Sequence, residues 1–93
     1  MEDLLPTEFY LSQNHPNPFR ERTTIKYCLP EEVKIKLDIF DSKKEKIKTL
    51  VDEIKEAGTY QVEFRSNGFD NGTYFYQLTA GGVILTKKMI LLK

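Results

Sequence analysis

The amino-acid sequence predicts an all-β fold, a sandwich of seven antiparallel strands, and three observations carry that expectation. Apolar and polar residues alternate at period two through most of the chain. Turn signals recur about every 8–14 residues, the spacing of a β-sandwich. Tyrosine (5) and phenylalanine (6) are plentiful and tryptophan is absent, which suits strands more than a helical bundle.

Phe9-Tyr10-Leu11-Ser12-Gln13 is a short apolar run that ends in the loop Asn14-His15-Pro16-Asn17-Pro18, where two prolines forbid helix and fix a turning, extended path. Ile25, Tyr27 and Leu29 then alternate with Thr24, Lys26 and Cys28, and Pro30 ends the run. Ile35, Leu37 and Ile39 alternate with Lys34, Lys36 and Asp38, the pattern of a half-buried antiparallel strand. The stretch from Lys43 to Ala57 points elsewhere, because Ile47, Leu50, Val51 and Ile54 fall at i, i+3, i+4 and i+7, with Gly58 placed as a helix stop. A lone helix would need a free apolar sheet face to cover it. A strand over Lys46–Asp52 followed by a loop therefore fits its neighbours better.

Gly58 opens a strand with Tyr60, Val62 and Phe64 on one face, and Gly72 opens another with Tyr74, Tyr76 and Leu78 on one face. Both begin Gly-Thr-Tyr, so they read as two similar strand openings. Gly81-Gly82 reads as a two-residue hairpin whose central positions need positive φ. The last strand runs from Val83 to Leu92, and its hydropathy alternation breaks at Lys87-Lys88, where a bulge is expected. Seven strands at this spacing make an immunoglobulin-like β-sandwich.

Composition narrows the function. Ninety-three residues make one domain with a single core, which buries roughly 60–65% of the surface of the unfolded chain. Fourteen basic and fourteen acidic residues cancel, and a domain that grips nucleic-acid phosphates normally has a basic excess. No apolar run approaches the roughly 20 residues of a transmembrane segment. Residues 1–8 read as a linker or tail and 9–93 as the folded domain. The acidic opening Met1-Glu2-Asp3 lacks the regions of a signal peptide, which leaves open a cytoplasmic protein or a piece of a longer exported one.

No residue cluster points to catalysis or a cofactor. Cys28 stands alone and reads as a small packed residue, with no base to activate it. His15, the single histidine, lacks a second ligand at metal spacing. Asp52, Glu53 and Glu56 lack the ladder of a calcium loop, and Asn71-Gly72-Thr73 reads as a turn before it reads as a glycosylation triplet. Pro16, Asn17, Pro18 and Phe19 form a stiff loop motif in which Asn17 can hydrogen-bond nearby backbone and Phe19 can plug one end of the sandwich. Lys87 and Lys88 can blunt edge-to-edge pairing of the last strand, or offer a surface for strand addition plus charge.

Leu11-Ser12-Gln13-Asn14, Pro16-Asn17-Pro18-Phe19, Thr23-Thr24-Ile25-Lys26-Tyr27 and Leu29-Pro30 resemble, in order and spacing, the opening of type A C-terminal sorting domains of type IX secretion cargo. The likeness continues through Leu50-Val51-Asp52, Ala57-Gly58-Thr59-Tyr60 and Gly72-Thr73-Tyr74-Phe75-Tyr76-Gln77-Leu78, and it closes on Thr86-Lys87-Lys88-Met89-Ile90-Leu91-Leu92-Lys93. Two positions depart from the family pattern. Arg20-Glu21 stands where an Asn-Pro pair is usual, and Lys44 stands where the turn commonly carries glycine. If that turn position is left-handed, lysine costs about 1 kcal/mol more than glycine there.

The resemblance implies a non-enzymatic, immunoglobulin-like sorting module at the end of an exported bacterial protein. It would pass through the periplasm to the cell surface. Its partners would be the outer-membrane secretion translocon and a sortase-like surface peptidase, which would cut around Met1–Glu8 and join the cargo to a lipopolysaccharide anchor. The C-terminal block, with Lys87, Lys88, Met89, Leu91 and Lys93, would be the part that is read. The competing expectation is a plain immunoglobulin-like structural, adhesion or carbohydrate-binding accessory module of a surface protein.

Overall fold

Period-two alternation becomes seven strands in the computed structural model, which describes residues 5–93. They are β1 (Tyr10–Leu11), β2 (Arg22–Leu29), β3 (Val33–Phe40), β4 (Lys46–Lys55), β5 (Gly58–Arg65), β6 (Gly72–Ala80) and β7 (Val83–Leu91). There is no helix among the described residues. The strands form two antiparallel sheets, one ordered β1-β2-β5 and the other β4-β3-β6-β7. In the constant-type immunoglobulin arrangement the fourth strand extends the other sheet, beside the fifth. Here β4 lies beside β3.

The inward positions of each strand fill one core. Ile25, Tyr27 and Leu29 of β2 face Ile35, Leu37 and Ile39 of β3, Tyr74, Tyr76 and Leu78 of β6, and Met89 and Leu91 of β7, all buried. An aromatic chain closes one end, running from Phe19 to Phe64 (6.0 Å), on to Phe69 (5.4 Å) and then to Tyr74 (6.1 Å). Cys28 lies outside this core. Its parity turns it to the outer face, where its Sγ lies 3.6 Å from Thr59 Oγ1, so the expectation of a packed thiol is corrected to a half-buried one.

The helix-like spacing at 43–57 belongs to a strand with two extra residues, and the strand runs on to Lys55, beyond the expected end at Asp52. Leu37 pairs Val51 while Asp38 pairs Thr49, which leaves Leu50 inserted; Ile39 pairs Lys48 while Phe40 pairs Lys46, which leaves Ile47 inserted. Each bulge resets the alternation by one residue. Ile47, Leu50 and Val51 can therefore all pack against the core from a strand, as they do.

Turn chemistry sets the register. Between β3 and β4, Asp41 accepts the Lys44 N–H on its carbonyl (2.9 Å), and its Oδ1 accepts the N–H groups of Lys43 and Glu45 (2.9 Å each). This turn ends on Lys44 at φ 68°, the left-handed position that the sequence singled out. Both Gly-Thr-Tyr openings are tyrosine corners, in which a phenol ties down the turn before its strand. Tyr60 donates to the Glu56 carbonyl (2.7 Å) and Tyr74 to that of Asp70 (2.6 Å). At the β6–β7 hairpin only Gly81 has positive φ (60°), so the expectation of positive φ at both glycines is corrected to one. Glycine first with φ > 0 is the sign pattern of a type II′ turn.

Candidate functional site

The loop motif and the C-terminal block, 70 residues apart in sequence, form one structure. β7 is an edge strand of the four-stranded sheet and pairs with β6 from Ala80↔Val83 to Gly72↔Leu91 without a register shift. The bulge expected at Lys87-Lys88 is therefore absent. The backbone alternation is intact there, and only the hydropathy pattern is interrupted. Lys87 shares the inward parity of Leu85 and Met89, but at the rim of the sheet it is exposed.

Because Ala80 and Val83 close a two-residue hairpin, the odd residues of β7 turn their backbone groups to β6 and the even ones turn theirs outward. The loop ahead of β2 takes up the outward groups of the second half. Gln13 Nε2 donates to the Lys88 carbonyl (2.6 Å), and the Ile90 N–H donates to Asn17 Oδ1 (2.9 Å). The Phe19 N–H donates to the Ile90 carbonyl (3.0 Å), and the Leu92 N–H donates to the Phe19 carbonyl (2.9 Å), a parallel bridge.

Three features hold the loop in place. Phe19 is buried edge-on against Phe64. Asn14, also buried, donates to Thr23 Oγ1 (2.9 Å) and to the Pro16 carbonyl (3.2 Å), while Thr23 Oγ1 donates to the same carbonyl (2.8 Å). Tyr76 spans the sandwich to donate to the Ser12 carbonyl (2.6 Å), and burial pushes its phenol up to about 12. The peptide bonds before Pro16 and Pro18 are both cis.

The residues singled out in the sequence separate by burial. Lys87, Lys88 and Lys93 are exposed, whereas Met89 and Leu91 are fully buried core residues that the folded domain does not present. The Lys93 N–H donates to Asn71 Oδ1 (2.8 Å). Pro16 and Pro18 are exposed on the loop; Gly58 opens β5, Gly81 and Gly82 form the β6–β7 turn, and Gly72 opens β6 directly opposite Leu91, the residue that bridges to Phe19. Gln13 belongs to the Leu11–Asn14 block of the resemblance, but the sequence predicts no site role for it.

Charge is distributed unevenly. Residues 83–93 hold three lysines and no acid, and β6 holds no charge at all. The ion pairs among the described residues lie elsewhere, Arg22–Glu63 and Arg65–Glu63 on β2 and β5, Lys34–Asp52 and Lys55–Glu53 on β3 and β4. Among the described residues no cluster of His, Cys, Asp or Glu could hold a metal ion, and no helix is long and apolar enough to cross a membrane.

The domain is thus a small β-sandwich whose lysine-bearing edge strand is held in one register by a loop from the other end of the chain. The family model described as the secretion system C-terminal sorting domain matches residues 13–92. No curated protein and no solved structure gives a significant match. The chain belongs to that sorting-domain family, a non-catalytic signal that sends type IX secretion cargo out of the cell, to its surface or beyond.

Proposed function

We propose that the outer-membrane translocon of the type IX system reads this domain through the final strand, chiefly through Lys87, Lys88 and Lys93. A sortase-like surface peptidase then cuts within residues 1–8 and joins the upstream cargo to its anchor. The observation that carries the reading is the lysine-bearing edge of β7, with no acid in residues 83–93 and with its register fixed by the Asn17–Phe19 latch. Of the proposed linker, residues 1–4 lie outside the described residues; residues 5–8 form no strand and Leu5 is exposed, which suits a cleavable segment. Met89 and Leu91 contribute by packing, since both are buried.

The test is surface display of a periplasmic reporter fused ahead of residues 1–93 in a host carrying the type IX system. The parent fusion should be displayed, and truncation after Gly82 should abolish display. The Lys87→Glu/Lys88→Glu double variant should fold with a melting temperature near that of the parent and lose at least tenfold in display. Undiminished display of the folded double variant would overturn the reading.

A further inference from the structure

We propose that the open half of the β7 edge, Ile84–Lys88, accepts an acidic, extended segment of a partner protein as an added antiparallel strand. This rests on the reading that the final strand is what the secretion machinery engages.

The edge divides at Lys88. The latch takes the Lys88 carbonyl, both backbone groups of Ile90 and the Leu92 N–H. The outward N–H and C=O of Ile84 and of Thr86, and the N–H of Lys88, make no hydrogen bond among the described residues. Such a row is a template for another strand, and proteins usually blunt it with proline, bulges, a covering loop, or lysines and inward-pointing charges. β4, the opposite edge of the same sheet, carries two bulges. The Ile84–Lys88 stretch has neither proline nor bulge and pairs in perfect register with β6; its guard is Lys87 and Lys88, which turn away a strand that brings no acid to meet them.

Side chains define the occupant. On the outer face three cross-strand rows end at this edge: Lys36–Thr79–Ile84, Asp38–Gln77–Thr86 and Phe40–Phe75–Lys88. Ile84 is 61% exposed, and Thr86 and Lys88 are exposed beside it. An added strand continues each row, because directly opposed pairs on one face are the unit of sheet stabilisation. Read along an antiparallel partner, the facing residues are an acid opposite Lys88, a β-branched residue opposite Thr86 and an apolar residue opposite Ile84, each two positions apart.

Charge disfavours the obvious rival. A second copy paired antiparallel over Ile84–Lys88 would set Lys88 opposite Ile84 and Lys87 opposite Leu85, gathering four lysines at one seam with no acid to meet them. A segment rich in Asp or Glu meets the three lysines of residues 83–93 with the complementary sign.

Thr86→Pro isolates the backbone contribution. It removes an N–H that the domain itself does not use, and proline is tolerated on an edge strand where that group faces solvent. In the display assay, Thr86→Pro should melt within a few degrees of the parent and lose display at least tenfold; Lys88→Glu should lose it severalfold, and Lys88→Arg should keep it. Should Thr86→Pro fail to fold, Ile84→Pro, whose N–H also faces outward, takes its place. Parental display of a folded proline variant overturns strand addition; if the double lysine variant is lost at the same time, the charge reading of the strand survives alone. Failure of the parent fusion to reach the surface overturns both.

Discussion

Along the outer edge of β7, the stretch from Ile84 to Thr86 and the stretch from Lys88 to Leu92 have the same backbone chemistry and different partners. The first makes no outward hydrogen bond, although β1 passes close to β7. The second is bonded to Gln13, Asn17 and Phe19, more than 70 residues earlier in the chain. The half that is held also contains the buried Met89 and Leu91, so latch and core support each other there. The open half holds the exposed Ile84 and Thr86 and ends on the lysine pair. Rigidity and access are thus divided along one strand, and the domain keeps its last strand in register while part of its edge stays unbonded.

Breaking the latch at its anchor gives the largest expected effect. Phe19→Ala empties a buried aromatic site and should cost about 3–5 kcal/mol in denaturant unfolding. Ile84→Ala, at an exposed position of the open half, should stay within about 0.5 kcal/mol. Equal losses at the two sites would refute the division.

Alkali probes the same boundary, because Tyr76 pairs with Lys87 across the ladder and bonds Ser12 beside the latch. An unfolded tyrosine ionises near pH 10, while buried Tyr76 holds its proton to about 12. Its contribution is complete below about pH 10 and is lost as pH rises through the window to about 12, because the unfolded state then binds fewer protons. Burial raises Tyr27 and Tyr74 as well, with the same sign. Unfolding free energy should fall over this window, and Tyr76→Phe should flatten the fall by roughly 3 kcal/mol at most. A slope unchanged in that variant would assign the loss to the other tyrosines.

Asn17→Ala removes only the acceptor for the Ile90 N–H and should cost about 1 kcal/mol. Amide exchange reads its locality. In the parent, Ile90 and Leu92 should be protected and Thr86 should exchange near its intrinsic rate; in the variant, Ile90 should lose protection and Thr86 should not change. Protection of Thr86 in the parent would mean that the open half is covered.

Much of this fold is legible in the sequence, because strands and turns are written in neighbours. Alternation placed β2, β3, β5 and β6, and Gly-Thr-Tyr marked both corners. The bulges of β4 were not legible, since two inserted residues give Ile47, Leu50, Val51 and Ile54 a helical spacing. Lys87-Lys88 misled in the opposite way: a charge at an inward position looked like a slip of register when it was only a rim site. The resemblance picked out the two ends of the chain, but no local pattern says that Asn17 accepts a bond from Ile90. That contact exists only once two sheets have stacked.

The smallest effect separates the latch from global stability. Lys44 occupies a left-handed turn at φ 68°, where glycine avoids a steric cost, so Lys44→Gly should stabilise the domain by about 1 kcal/mol. Its Nζ lies 5.9 Å from the centre of the Phe75 ring, an exposed contact whose loss offsets part of the gain. The turn makes no hydrogen bond to either half of the β7 edge, although Lys44 and Thr86 line one hollow over Phe75. Core amides such as those of Leu37 and Leu78, which exchange through complete unfolding, should therefore slow about fivefold, the factor that corresponds to about 1 kcal/mol. If Ile90 exchanges when the Asn17–Phe19 loop opens by itself, its rate should not change. If Ile90 instead slows with the core, the latch opens only when the whole sandwich does, and the two halves of the strand differ in partners but not in the stability of the structure that holds them.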